Sequence, residues 1–348
     1  MVDLSPQVET APTGALPAGR PARGTRALLR RYRDFSLIPV ILLLLLLGFI
    51  ASPNFLTADN MLAVLQQSTE LSLLVLAEAL VLIAGQMDLS LESTIGVAPV
   101  IAVWLVLPSH GARFNGLGLG LPGWTALPLC LLVGAAIGAL IGVLRVKVRL
   151  NAFIVTLGML ITLRGLQTAI TGGQSIFQLP RSFTYLGSES WFGVPASVWV
   201  CAALFGVGIA VLGWYRHGRA LYAVGGNADA AQAAGIRTGR LVWIVFVVAG
   251  MLAAFAGILY TGHYGSIAAN QGQGMIFQVF AATVIGGVSL NGGRGSVFGA
   301  LTGAVTLKLI DNVLNFAGVY PVWEQFLDGV IILCALVISR FTSGEAQD

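Results

Sequence analysis

The sequence predicts an all-α, polytopic membrane protein of about ten transmembrane helices, one of them short or broken near residues 275–289. Three observations lead there. Of 348 residues, 56% are hydrophobic and only 10% are charged, with a mean hydropathy of +0.85, whereas a soluble domain carries roughly 25% charged residues. Apolar runs close to the ~20 residues that cross a bilayer recur along the chain. Basic residues crowd into alternate connections, as the positive-inside rule requires. The net charge of +4 therefore describes topology, not nucleic-acid binding.

Taken in order, residues 1–34 are rich in Pro, Gly, Ala and Arg without periodicity, and read as a disordered basic cytoplasmic tail. The charged stretch before the first apolar run is long and no small-residue cleavage site follows, so that run is expected to be a retained anchor. The transmembrane body occupies 35–340, with a short cytoplasmic tail at 341–348. Candidate spans are 35–52, 61–85, 91–107, 124–144, 151–170, 197–214, 241–261, 275–289, 296–315 and 321–340. With the N-terminus inside, 15 of the 19 lysines and arginines fall on the cytoplasmic side, Arg113 and Arg181 fall outside, and Arg164 and Lys308 lie within helices. That asymmetry sets the orientation. The eighth span is short and ends in Gly286-Gly287, so it is either a half-helix or a re-entrant segment; without a crossing there, nine spans remain and the C-terminus moves outside. Trp124, Trp191, Trp199 and Tyr185 sit at the proposed outer boundary, where interfacial aromatics or ordinary loop composition would equally put them.

Between the sixth and seventh spans lies a polar, alanine-rich island, Gly225-Gly226-Asn227-Ala228-Asp229-Ala230-Ala231 through Gly235-Ile236. Asn227 is placed to cap a helix, Asp229 stands where the helix dipole favours an anion, and Gly235 suits the left-handed end. A two-turn helix over 228–234 is expected. It is too short to stand alone and has almost no apolar stripe, so it must rest on other elements. Arg216, Arg219, Arg237 and Arg240 flank it, which places it in the cytoplasm. It is either an ordinary loop helix or a docking helix for a partner that pushes on it.

Catalytic chemistry finds little support. Lys147 and Lys308, the two lysines, lack the Gly-Lys-Ser/Thr context of a phosphate-binding loop. His110, His217 and His263 are scattered, and Cys130, Cys201 and Cys334 are isolated in apolar runs, with no metal or redox spacing. The chain is expected to hold no cofactor or metal of its own, and any energy input must come from an ion gradient or another subunit.

Charged groups inside spans cost about 2.5–3.5 kcal/mol to insert and are expected to face the bundle interior or a watery path. Glu70 and Glu78 lie eight apart in the second span, on one helical face with Gln66 and Gln67 nearby. They either line a polar pathway or form an ion pair with Arg164 of the fifth span. Lys308 and Asp311 are three apart and neutralise each other; Glu324 and Asp328 open the tenth span. Around Asp88, either Ser90 or Ser93, or Asp88 itself, is placed to cap the third helix.

Several of these stretches resemble one family. Pro53-Asn54-Phe55-Leu56-Thr57, Gln86-Met87-Asp88-Leu89-Ser90, Phe153 to Gly158 with Arg164-Gly165, the island at 225–236, and Val284-Ile285-Gly286-Gly287 through Gly292-Gly293-Arg294-Gly295-Ser296 to Gly299-Ala300 occur in matching order. Together, over residues 53–340, they resemble the permease subunits of bacterial ABC importers for ribose and related monosaccharides, the branch that also includes the autoinducer-2 permeases. The family's turn usually reads Gly-Gly-Ile-Asp-Leu-Ser-Val-Gly-Ser; here Gln86 and Glu92 stand where glycines are expected, and Glu92 is expected to add a charge near the cytoplasmic mouth.

The resemblance implies a multi-pass protein of the bacterial cytoplasmic (inner) membrane. Its partners would be a second permease copy or paralogue, two cytoplasmic ABC ATPase subunits that bind ATP and Mg, and a periplasmic or lipid-anchored solute-binding protein. The island becomes the ATPase-coupling helix, and Gln66, Gln67, Glu70, Glu78, Asp88 and Arg164 are candidates for the translocation pathway. Two other classes remain open from the residues alone. One is a proton- or sodium-driven transporter using Glu70, Glu78 and Arg164. The other is a membrane scaffold indifferent to those charges.

Overall fold

A computed structural model describes residues 37–109, 114–320 and scattered positions from 323 to 333. The expected tails at 1–34 and 341–348, most of the tenth span, Arg113, Glu324, Asp328 and Cys334 lie outside the described residues. Within them the chain is a helical bundle: α1 (Ile38–Ala51), α2 (Ala58–Ile83), α3 (Leu91–Val106), α4 (Ala126–Val146), α5 (Ala152–Thr171), α6 (Arg181–Ser188), α7 (Ala196–Trp214), α8 (Arg216–Gly226), α9 (Ala228–Ala233), α10 (Thr238–Tyr264), α11 (Met275–Ile285) and α12 (Val297–Phe316). A small hairpin, β1 (Ser190–Trp191) and β2 (Val194–Pro195), joins α6 to α7. Among the described residues, α2, α4 with the 3-10 turn before it, α5, α7, α10 and α12 are long and apolar enough to cross a membrane; α1, α3 and α11 are apolar but shorter.

The centre is α2. From Ser68 to Ile83 every residue but Leu80 is buried, Glu70 and Glu78 included, the state of a helix at the centre of its bundle. Beside it runs α10, whose 27 residues extend about 40 Å at 1.5 Å per residue. A seam of small residues draws α4 onto α10: a Cβ on Gly134 would overlap the Gly250 carbonyl, and one on Gly138 the Phe246 carbonyl. Such close approach replaces the hydrophobic drive that lipid removes. Outside this core, α1 exposes Leu42, Leu43, Leu46 and Leu47 and is pinned at its end by Phe55, which fills the notch at Gly48 and meets Phe316 edge-on at 5.6 Å.

The eighth element is short, as expected: a helix of 11 residues, about 16 Å, not a full span. It begins inside the bundle after an irregular stretch, 265–274, in which Gly272 and Gly274 take φ of 87° and 85° and Gln271 is buried against Ile95 of α3. Its far end nevertheless joins the loop that touches Gly85 and Gly225, at the end of the bundle where α2 finishes and α10 starts. The irregular stretch and the half-helix together return the chain to the end from which α10 set out. Likewise α3 starts inside the bundle, where Ser93 Oγ donates to the Leu160 carbonyl halfway along α5. Finally, the 215–240 connection contains not one helix but two: amphipathic α8, burying Leu221 and Val224, and then the island helix α9.

Candidate functional site

The island helix has six residues, one fewer than expected, because Ala234 already leaves helical geometry (ψ 8°). Asn227 Oδ1 accepts from the Ala230 amide at 2.8 Å, and Gly235 closes the helix at φ 84°. Asp229, Ala230, Gln232 and Ala233 are exposed, whereas Ala231 is buried and serves as the foot on which the island stands. Its support is α8. Beside it a cavity of about 630 Å³ opens, lined by Gln86, Arg145, Arg149, Asn227, Asp229 and Gln232 among others.

Beneath the island, three backbone segments touch with no side chains between them. A Cβ on Gly225 would overlap the Ile83 carbonyl and lie 2.6 Å from the Gly293 amide. One on Gly292 would lie 2.6 Å from the Gly225 carbonyl and 2.7 Å from Gly85 Cα. The Gly293 amide donates to the Ile83 carbonyl at 3.0 Å. Gly85, Gly292 and Gly293 all have positive φ, which only glycine adopts freely. This junction ties α8 and the island to the end of α2 and to the loop between α11 and α12.

Both interrupted elements meet deeper in the bundle. Arg164 of α5 donates from Nη2 to Glu92 Oε1 at 3.2 Å and from Nη1 to the Gln271 carbonyl at 2.7 Å. Gln167 Oε1 accepts from Nη1 at 3.2 Å. The second carboxylate oxygen of Glu92 accepts from the Ile276 amide at 3.3 Å, placing an anion at the N-terminus of α11, where the helix dipole favours it. Gln271 Nε2 donates to the Ile95 carbonyl at 2.9 Å, and Gly96 leaves room for the Gln167 amide and the Gln271 backbone. The node thus joins α3, α5 and α11 through groups that would be costly unpaired. Glu92 is buried here, not at a mouth as expected.

The other expected pathway residues separate. Arg164 pairs with neither Glu70 nor Glu78. Glu70 is buried, its carboxylate 2.7 Å from Nδ1 of His263 on α10. The rings of Tyr260 and Tyr264, and of His263 and Tyr264, stand 4.5 Å apart. Lys308 donates to Asp311 at 2.9 Å, as their spacing predicts, and to Gln278 at 3.2 Å. Glu78 is wholly buried next to Asp88, whose amide lies 3.5 Å from Glu78 Oε1. Asp88 Oδ1 accepts from the Ser90 amide and hydroxyl at 2.9 and 2.6 Å; this is a local turn, and neither it nor Ser90 or Ser93 caps α3. Gln66 donates to the Gly187 carbonyl at 2.8 Å, and Gln67 is exposed.

The family model described as branched-chain amino acid transport system / permease component matches residues 60–336. A ribose import permease protein of Escherichia coli (strain K12) is 33% identical over 309 residues, 88% of this chain and 92% of the relative. An autoinducer 2 import system permease protein of Enterobacter sp. (strain 638) is 34% identical over 310 residues, 89% and 87% of the two chains. A probable ABC transporter permease protein of Escherichia coli (strain K12) is 33% identical over 323 residues, 92% and 94%.

Proposed function

The chain belongs to the family of branched-chain amino acid transport system permease components, and from that premise we propose that it is the membrane channel subunit of an ATP-driven importer for a small sugar of the ribose class. The relatives that span nearly its whole length are named for ribose and autoinducer 2, which favours a polyhydroxylated solute over an amino acid. The contacts of buried Glu70 with His263, and of Tyr264 with His263 and Tyr260, gather hydrogen-bonding and aromatic groups of the kind that suits such a solute.

The island faces the cytoplasm and receives an ABC ATPase subunit, which binds the ATP and Mg that this chain does not. Two permeases, the same or paralogous, stand side by side in the bacterial inner membrane with their N-termini inside. A solute-binding protein delivers sugar at the opposite face and carries most of the specificity. The observation that carries this reading is the glycine junction. A push on the exposed, capped island reaches Ile83 and Gly293 through backbone contact, and so bears on both interrupted elements at once. No side chain can fold out of the way to absorb it.

The experiment is uptake of labelled monosaccharide into vesicles holding this chain, its ATPase and its binding protein. Uptake is expected to follow internal ATP and to survive an uncoupler. Asp229→Arg with Ala230→Arg should leave the chain folded in the membrane yet abolish ATPase co-purification and uptake. Uptake that collapses with the uncoupler at constant ATP would refute the reading, as would normal ATPase capture by the double variant.

A further inference from the structure

Beside the island a second cavity, of about 760 Å³, opens between α8 and the first turns of α10. Its rim carries Arg216 and Arg219 from α8 and Arg237 and Arg240 from the start of α10, with Leu241 and Ile244 on its floor. Among the described residues none of these four guanidinium groups pairs with a carboxylate, and Asp229 lines the neighbouring cavity instead. Four like charges drawn together from two elements and left uncompensated call for an anion.

The anion's other end is indicated by the floor. Ile244 continues along α10 into Val248 and Met251, each more than a third exposed and spaced four and three residues apart, so they form one apolar stripe leading from the cavity down the membrane-crossing helix. At the cavity's edge the long apolar helix α7 ends in exposed Trp214 and Tyr215, and the Trp214 carbonyl accepts from Arg219 at 3.2 Å. Tryptophan and tyrosine at the end of a spanning helix mark headgroup depth. The charged rim therefore lies where phosphates lie, and the stripe lies where acyl chains lie.

We propose that this cleft is a binding site for an anionic phospholipid, its phosphodiester held among Arg216, Arg219, Arg237 and Arg240 and one acyl chain laid along Ile244, Val248 and Met251. Basic pockets between helices at a membrane face recognise such headgroups, and a zwitterionic lipid would bring an ammonium group into the same positive field. An acidic protein partner would complement the rim but has no use for an apolar groove running into the bilayer. The site requires only that the bundle span a membrane, so it stands or falls separately from the ATPase and the sugar.

The test is native mass spectrometry of the full-length chain in detergent, titrated with phosphatidylglycerol or phosphatidylcholine. The wild type should keep one phosphatidylglycerol with a preference on the order of tenfold. Replacing all four arginines by glutamine should remove the preference, whereas replacing all four by lysine should retain it; circular dichroism and size-exclusion profiles establish that each variant is folded. Equal retention of the two lipids would overturn the proposal. So would displacement by millimolar glycerol phosphate, which would make this a soluble-phosphate site. Loss of ATPase capture in the glutamine variant with lipid retention unchanged would assign the rim to the ATPase interface instead.

Discussion

Arg164 carries a guanidinium into the interior of a membrane bundle, and its partner, Glu92, stands 72 positions away in sequence. Neither choice makes sense alone. Removing one member of a buried pair leaves the other uncompensated, at a cost of about 3–5 kcal/mol. Arg164→Met and Glu92→Gln should therefore each lower the thermal midpoint of the purified chain sharply. The double variant should lie closer to wild type than the sum of the two losses predicts; strict additivity would mean that the two groups are not coupled. The sequence revealed that Arg164 needed an acidic partner, but Glu70 and Glu78 were the candidates in view. A pairing set by the crossing of α3, α5 and α11 has no local signal. Its one hint was a carboxylate at 92 where relatives of this type are expected to have glycine. Lys308 and Asp311 were legible because a single helix turn holds both.

At the scale of an element, the island was the most readable part of the chain. A cap, a first-turn acid and a left-handed glycine act within nine residues, Asn227 to Gly235, and none of the three needs tertiary context. The platform under it was not readable: the buried seam of α8 is just Gly218, Leu221 and Val224, and the glycines that flank the island looked like punctuation when Gly225 is a contact surface. Gly225→Ala would force a methyl into the Ile83 carbonyl, an overpacking worth about 1–3 kcal/mol, whereas a Cβ on Gly226 meets nothing within 4 Å. ATP-driven uptake should be lost in the first variant and kept in the second, with ATPase capture normal in both. Equal uptake by the two would show that the junction does not transmit movement.

Over the whole molecule, hydropathy located the apolar elements in order but could not show where inside the bundle a helix begins. A window average gives 91–107 a full span and marks 275–289 only as short; α3 and α11 both start midway, where the Ile276 amide at the head of α11 is met by the Glu92 carboxylate. The chain's direction through the eighth element is open to a direct check. With Cys130, Cys201 and Cys334 replaced, single cysteines at Ala230, Asn291 and Phe192, all exposed, should sort by side: 230 and 291 labelled by a membrane-impermeant maleimide from one face, 192 from the other. Labelling of 291 together with 192 would mean that the half-helix turns back without crossing.

A membrane that stores a proton gradient is a charged capacitor, and every idle conduit through it is a possible short circuit. The node that joins the two interrupted elements places a fixed guanidinium at their meeting point, with its hydrogen bonds already committed to Glu92, Gln167 and Gln271. With its donors committed and its charge balanced by Glu92, that guanidinium closes the gap between two broken helices as a neutral, hydrogen-bonded seam, so the break need not be a weak point in the insulation.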